Sequence, residues 1–352
     1  MGKLSRRINH DCNVSNKTGE YMLEIESMQG LSPMPRRIEI NGAIGVESKR
    51  LVVKCHDKEL WTLRAADELA GFFQSRTGCK PRMDAKPGRV RPFHIHLLSG
   101  NGCGKYSAVF QAPFFSGAKG PVGFHSYRIC SVGQDELVLQ GLDRQGVYWG
   151  MKTLKQLISY NGRTVRIPMV RILDGADLED RGIWTNTFTL DGASATRLVD
   201  AEKHYRNLID WLSDHKINLI EVIALAGNGC SWVNKKDPRL SATDAKSTQV
   251  LMGRMMAYAR SRGIRIVPTV SHTDHFALIR KLHPELKPGV SIWHHGHSLG
   301  LPINYYDDKA VRLMGDLAVG LCDAYSPDEI CFWMAENRLH AISNSKESYF
   351  LK

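Results

Sequence analysis

Residues 141–158 read Gly141-Leu142-Asp143-Arg144-Gln145-Gly146-Val147-Tyr148-Trp149-Gly150-Met151-Lys152-Thr153-Leu154-Lys155-Gln156-Leu157-Ile158, a glycine turn handing over to an amphipathic helix. Upstream of it the chain alternates between strand-like and helical texture. Arg37-Ile38-Glu39-Ile40 and Leu51-Val52-Val53-Lys54-Cys55 read as strands, and Leu60 to Gln74 places apolar residues at helical spacing with Gly78 as terminator. Three further strand-like runs follow, His94 to Leu98, Ser126 to Ile129 and Glu136 to Leu139, divided by glycine-rich turns. The pattern predicts a mixed α/β domain over residues 19–165, preceded by a polar tail at 1–18 without periodicity.

Composition narrows the functional classes. The 352 residues exceed one typical domain, and 43% apolar content is enough for packed cores. No run of about 18 apolar residues is available to span a membrane, and the start, Met1 to Arg7, has basic residues with no apolar run behind them. A cytoplasmic protein is therefore expected, or an exported one if the N-terminus is incomplete. Eight cysteines (Cys12, Cys55, Cys79, Cys103, Cys130, Cys230, Cys322 and Cys331) show no CxxC pair, which predicts reduced thiols. The formal charge of +11 is spread along the chain without a nucleic-acid-binding motif, so a nucleic-acid partner is not expected.

The run Asp-x-x-Gly-x-x-x-Gly-x-x-Thr-Leu-x-Gln-Leu within 143–157 resembles the end of the non-catalytic domain that precedes the barrel in family 20 β-N-acetylhexosaminidases and some α-glucuronidases. Residues 166–180 resemble that family's linker, Ile-Pro-x-x-x-Ile-x-Asp, leading to Arg181-Gly182. The resemblance implies a zincin-like α/β domain of hexosaminidase domain 2 type, then a (β/α)8 TIM barrel beginning at 166. Downstream, strands near Gly182, Leu219, Ile264 and Glu329 alternate with helices near 197–215, 244–262 and 307–325, the pattern of parallel βαβ units. Four units are countable where a barrel needs eight and about 250 residues. The expectation is thus the first half of a barrel over 166–352, a truncated form. An open doubly wound sheet is the alternative, without a G-x-G-x-x-G turn to support it.

In a barrel enzyme the chemistry sits just after each strand. After the first strand, Arg181-Gly182 match the family, whereas Asn186 and Thr189 stand where the resemblance places an Asp and an Arg that hold sugar hydroxyls. The second strand leads to Asn228 and Trp232; the indole offers either a flat apolar partner for a sugar face or plain packing. Glu221, within that strand, points into the barrel or pairs with a cation. The third strand leads to Asp274 and His275, with Pro268 and His275 matching the family turn. Crowded histidines (His272, His275, His294, His295 and His297) raise a metal reading, but their spacing is irregular; hydroxyl binding or exposure is expected, with no metal and no cofactor.

The fourth strand ends at Ala335-Glu336-Asn337, where the resemblance implies an adjacent Asp-Glu pair. The Glu protonates the glycosidic oxygen and the Asp orients the 2-acetamido group for substrate-assisted attack. Glu336 is the candidate general acid, since a carboxyl at the end of an apolar strand has its charged form desolvated. Its register against the pair stays open: either Ala335 occupies the Asp position or Asn337 the Glu position. The resulting expectation is hydrolysis of O-glycosidic bonds in an oligosaccharide or glycoside, with Arg181, Asn186, Asn228, Trp232, Asp274, His275 and Asn337 as substrate-binding candidates. The alternative is an inert or carbohydrate-binding fragment.

Overall fold

The computed structural model describes residues 31–83, 91–100, 104–116, 122–185, 195–226, 229–270, 277–286, 292–294, 297–300 and 307–332. The chain divides into two compact units, Met1–Asp177 and Leu178–Lys352.

The first unit is built on a seven-stranded mixed sheet. Its strands are β1 (Arg37–Glu47), β2 (Leu51–Cys55), β3 (Phe93–Ser99), β4 (Phe124–Val132), β5 (Glu136–Gly141), β6 (Ser159–Asn161) and β7 (Thr164–Ala176). They lie in the order β1-β7-β4-β5-β3-β2, with β6 also paired to β7. The β2-β3-β5 core is parallel, and β4, β7 and β1 are antiparallel to their neighbours. Helices α1 (Leu60–Thr77) and α2 (Gly146–Leu157) cover one face. Leu69 and Phe73 of α1 and Met151 and Leu154 of α2 pack there with Val53, Ile95 and Ile129. On the other face Tyr106, Phe110 and Phe115, from three single 3-10 turns, close over Leu98, Cys130 and Val138. Strands covered on both faces read as nearly unbroken apolar runs, as in Ile95 and Leu97-Leu98 and in Leu137-Val138-Leu139.

The 141–158 motif is explained by close approach. Asp143 accepts hydrogen bonds from the backbone N–H groups of Gln145 and Gly146 through one oxygen and from Ser126 N–H through the other, tying the start of α2 to β4. A Cβ on Gly146 would lie 1.9 Å from the Ser126 carbonyl oxygen, and one on Gly150 would lie 2.4 Å from Leu139 Cδ1. Only glycine lets the helix sit this near the sheet.

One boundary moves. The second domain was expected to begin at 166, yet β7 runs through that position, paired with β1 from Thr164 to Leu173 and with β4 up to Ala176. Residues 166–176 complete the first sheet, because their ladders run to β1 and β4, with Arg166 also paired to Ser159 of β6.

The second unit carries a four-stranded parallel sheet of β8 (Gly182–Thr185), β9 (Leu219–Ile223), β10 (Arg265–Val270) and β11 (Cys331–Phe332), in sequential order. Between them run α3 (Ala195–Asp214), α4 (Ala245–Ser261) and α5 (Asp308–Tyr325). Ile209, Met255 and Leu321 from these helices bury one face of the sheet with Ile220, Val222, Ile266 and Val270. A doubly wound sheet reverses its strand order at a switch point and places helices on both faces. Among the described residues neither feature is present: the four strands follow one another and all three helices share one face.

Candidate functional site

Strand alternation sorts the second sheet into two faces. Ile183, Ile220, Val222, Ile266, Val270 and Ile330 turn toward the helices. The opposite face therefore receives Trp184, Glu221, Thr269 and Cys331. Register places Trp184 beside Glu221 on β8 and β9, and Thr269 beside Cys331 on β10 and β11. Trp184 and Thr269 are each the penultimate residue of their strands, so this polar group lies toward the C-terminal edge, the end where parallel α/β sheets carry their sites.

Three of the four side chains are joined by hydrogen bonds. Thr269 Oγ1, fully buried, donates to Glu221 Oε1 at 2.9 Å. Burial, and then the bond to and charge of Glu221, push the Cys331 thiol above its ordinary value, while a bond with Thr269 acts the other way. The thiol is thus a neutral donor, and Glu221 is the acceptor at the centre. Of the two readings of Glu221, pointing inward or pairing with a cation, the second gives way to two neutral partners, which lie 48 and 110 residues away in sequence.

Arg181 stands at the opposite edge. Its Nε donates to the Lys216 carbonyl at 2.8 Å, and its Nη1 to the carbonyls of Leu178 and Glu179 at 2.7 and 2.9 Å. Asn218 accepts from Arg181 N–H and donates to Glu179, closing the brace. The guanidinium therefore fastens the N-terminal edge of β8 and β9, away from where a substrate is expected. Trp232 resolves toward packing: it is fully buried, edge-on to Tyr325 at 6.4 Å between ring centres, with no ring face open to a sugar.

Glu336, Asn337, Asn186, Asn228, Asp274 and His275 lie outside the described residues. So do His272 and His295, while His294 and His297 pair across a short antiparallel hairpin. Among the described residues no group of three or more His, Cys, Asp or Glu side chains is placed to hold a metal ion. Nor is any described helix long and apolar enough to cross a membrane.

Residues 28–175 match the family described as glycosyl hydrolase family 20, domain 2. That match covers most of the first unit, Met1–Asp177. Solved structures of family 20 enzymes resemble the chain beyond that domain. The exo-β-N-acetylglucosaminidase from Vibrio harveyi, solved with N-acetylglucosamine, superposes with a TM-score of 0.62 at 15% identity, over 86% of this chain and 46% of its own length. A mutant β-hexosaminidase from Streptomyces plicatus gives 0.64 at 16% identity, over 92% of this chain and 62% of its own. At such identities the likeness is one of fold. The chain spans between about half and three fifths of these relatives' length. No curated protein sequence matches it.

Proposed function

We propose that the chain is the family 20 domain and the opening strands of a (β/α)8 barrel from a glycoside hydrolase cleaving hexosaminide-type O-glycosidic bonds. The observation that carries this reading is the succession itself: a family 20 domain 2 followed by parallel strands in sequential order with helices on one face. Such an order is what a barrel needs at its start. Asn186, Asn228, Asp274, His275 and Asn337 follow the C-terminal ends of successive strands and are assigned to hold the sugar. Glu336, four residues past β11, is assigned as general acid. Its proton goes to the leaving oxygen as the glycosidic bond breaks.

A single acid in Ala335-Glu336-Asn337 favours a second reading, a carbohydrate-binding protein without turnover. Turnover of p-nitrophenyl N-acetyl-β-D-glucosaminide separates the two. Release of nitrophenol by the wild type and its loss, by about a hundredfold or more, in Glu336→Gln is the expected result. Undiminished turnover in the variant would remove Glu336 from the mechanism; binding without turnover in the wild type favours the second reading.

A further inference from the structure

Residues 104–115 form a strap of three single 3-10 turns over one face of the first unit's sheet. We propose that this strap is an acid-released cover, held shut by the neutral imidazoles of His56, His94 and His96 and freed when they take up protons.

The strap is lightly tied. Among the described residues its backbone–backbone hydrogen bonds all run within it, Ser107 N–H to Gly104, Phe110 N–H to Ser107, Gln111 N–H to Ala108 and Phe115 N–H to Ala112. Two hydrogen bonds reach the sheet. Arg37 Nη1 donates to the Phe114 carbonyl at 3.2 Å, and the Tyr106 hydroxyl donates to Glu136 Oε2 at 3.5 Å, the outer limit of such a bond. The rest is apolar contact, with Tyr106, Phe110 and Phe115 covering Leu98, Cys130 and Val138. A segment with so few bonds to its surroundings opens at a lower free energy than the sheet beneath it.

The histidines lie where the strap closes. His56 follows β2, and His94 and His96 share one face of β3. The Tyr106 ring sits 4.9 Å from that of His96 and 5.9 Å from that of His56, between centres. His56 Nε2 is 2.8 Å from His96 Nδ1, a bond that needs one donor and one acceptor; with both rings charged, two N–H groups face each other. Buried His96 Nε2 is 3.8 Å from Glu136 Oε1 and makes no hydrogen bond among the described residues, so a proton there has no acceptor in reach. Lys54 on β2 and Lys105 on the strap add positive charge around the rings. Asp57 is engaged by the backbone N–H groups of Glu59 and Ser99, and Asp135 by Arg91. Glu136 is shared with Lys105 and Tyr106. Burial, then the neighbouring positive charges, holds His96 down at about 3, and burial also lowers His56 and His94. Lifting the strap hydrates the rings and returns them toward 6.5, so the open form binds more protons and gains as pH falls below that value.

Cys130, buried beneath the strap, reports the opening. The 352-residue chain is labelled with 4,4′-dithiodipyridine, which reacts with thiols in mild acid, and the Cys130 peptide is followed by mass spectrometry against glutathione as the free-thiol standard. Relative to glutathione, Cys130 is expected to react at least about tenfold faster at about pH 5 than at about pH 7.5, while Cys230, in the core of the second unit, keeps its rate and the far-UV circular dichroism is retained. His96→Phe keeps a ring under Tyr106 that cannot charge, and is expected to cut the gain at Cys130 to about threefold or less. Should that variant lose its far-UV signal at neutral pH, His56→Gln carries the test, with a reduced gain expected. A Cys130 rate that does not change with pH, or a full gain in the folded variant, overturns the proposal. Equal gains at Cys130 and Cys230, or a far-UV signal lost over the same interval, mean unfolding of the chain as a whole and overturn it as well.

Discussion

Lys152 Nζ lies 2.5 Å from Glu68 Oε1, an ion pair between α2 and α1 in which the lysine is only 2% exposed. Lys155 reaches the same oxygen at 2.7 Å, and Tyr148 donates its hydroxyl to the other at 2.7 Å. One carboxylate thus joins three side chains of α2 to α1. Burial by itself would raise the Glu68 pKa, but the charges and hydrogen bonds of Lys152 and Lys155 together outweigh it and bring the group down to about 2.

Glu68→Gln leaves Lys152 buried without its counter-charge and is expected to destabilise the chain by about 3 kcal/mol in urea unfolding. Lys152→Met is milder, because Lys155 and Tyr148 still satisfy the carboxylate. The acid dependence follows from linkage. A folded pKa of about 2, against 4.5 for the free group, gives a stabilisation that is full above 4.5 and is lost as pH falls toward 2. Equal losses for the two variants would contradict the assignment of Glu68 as the hub.

On the opposite face of the same sheet, His56 Nε2 is 2.8 Å from His96 Nδ1, and His96 Nε2 faces Glu136 Oε1 at 3.8 Å. Burial, followed by the charges of His56, Lys105, His94 and Lys54, pushes His96 down to about 3. His56 and His94 are also lowered, burial again being the largest cause. In the unfolded chain these imidazoles take up protons near their ordinary value of 6.5, so stability is full above it and is lost as pH falls toward the folded values. His96→Phe is expected to flatten the fall in melting temperature between about pH 7 and pH 5, and Glu68→Gln to leave that interval's slope unchanged. A slope in His96→Phe equal to the wild type's would remove the cluster as its source.

What could be read from sequence divides along the range of the interactions. Local signals held: α1 closes on Gly78 in a left-handed conformation, and α3, α4 and α5 fall within two residues of their expected bounds. Pairings between distant strands had no local signature. Strand β7 reads alone as a linker, and only its ladders with β1, more than a hundred residues earlier, and with β4 make it part of the first sheet. Trp232 shows the same limit at the candidate site, since an indole after a strand suits either a sugar or a core, and only Tyr325 from α5 decides for the core. Trp184 carries no signal along the chain, because its neighbour in register, Glu221, is met only across the sheet.

The glycines of the 141–158 motif offer the most direct test of why it marks this fold. Gly146 begins α2 against β4, where an added Cβ would lie 1.9 Å from the Ser126 carbonyl oxygen and 2.8 Å from its carbon. Backbone cannot swing aside as a flexible side chain can, so α2 must lift from the sheet and Asp143 must give up at least one of its bonds to Ser126, Gln145 or Gly146. Gly146→Ala is accordingly expected to cost about 3 kcal/mol or more in urea unfolding. Gly71, inside α1, has open space where an added methyl would sit, with no atom within 4 Å, and there alanine gains helix propensity worth about 0.5–1 kcal/mol. The same substitution therefore changes sign between two helices of one domain, and the difference isolates close packing from propensity. A Gly146→Ala chain as stable as the wild type would mean that α2 and β4 do not approach this closely, and that the motif's glycines serve the turn alone.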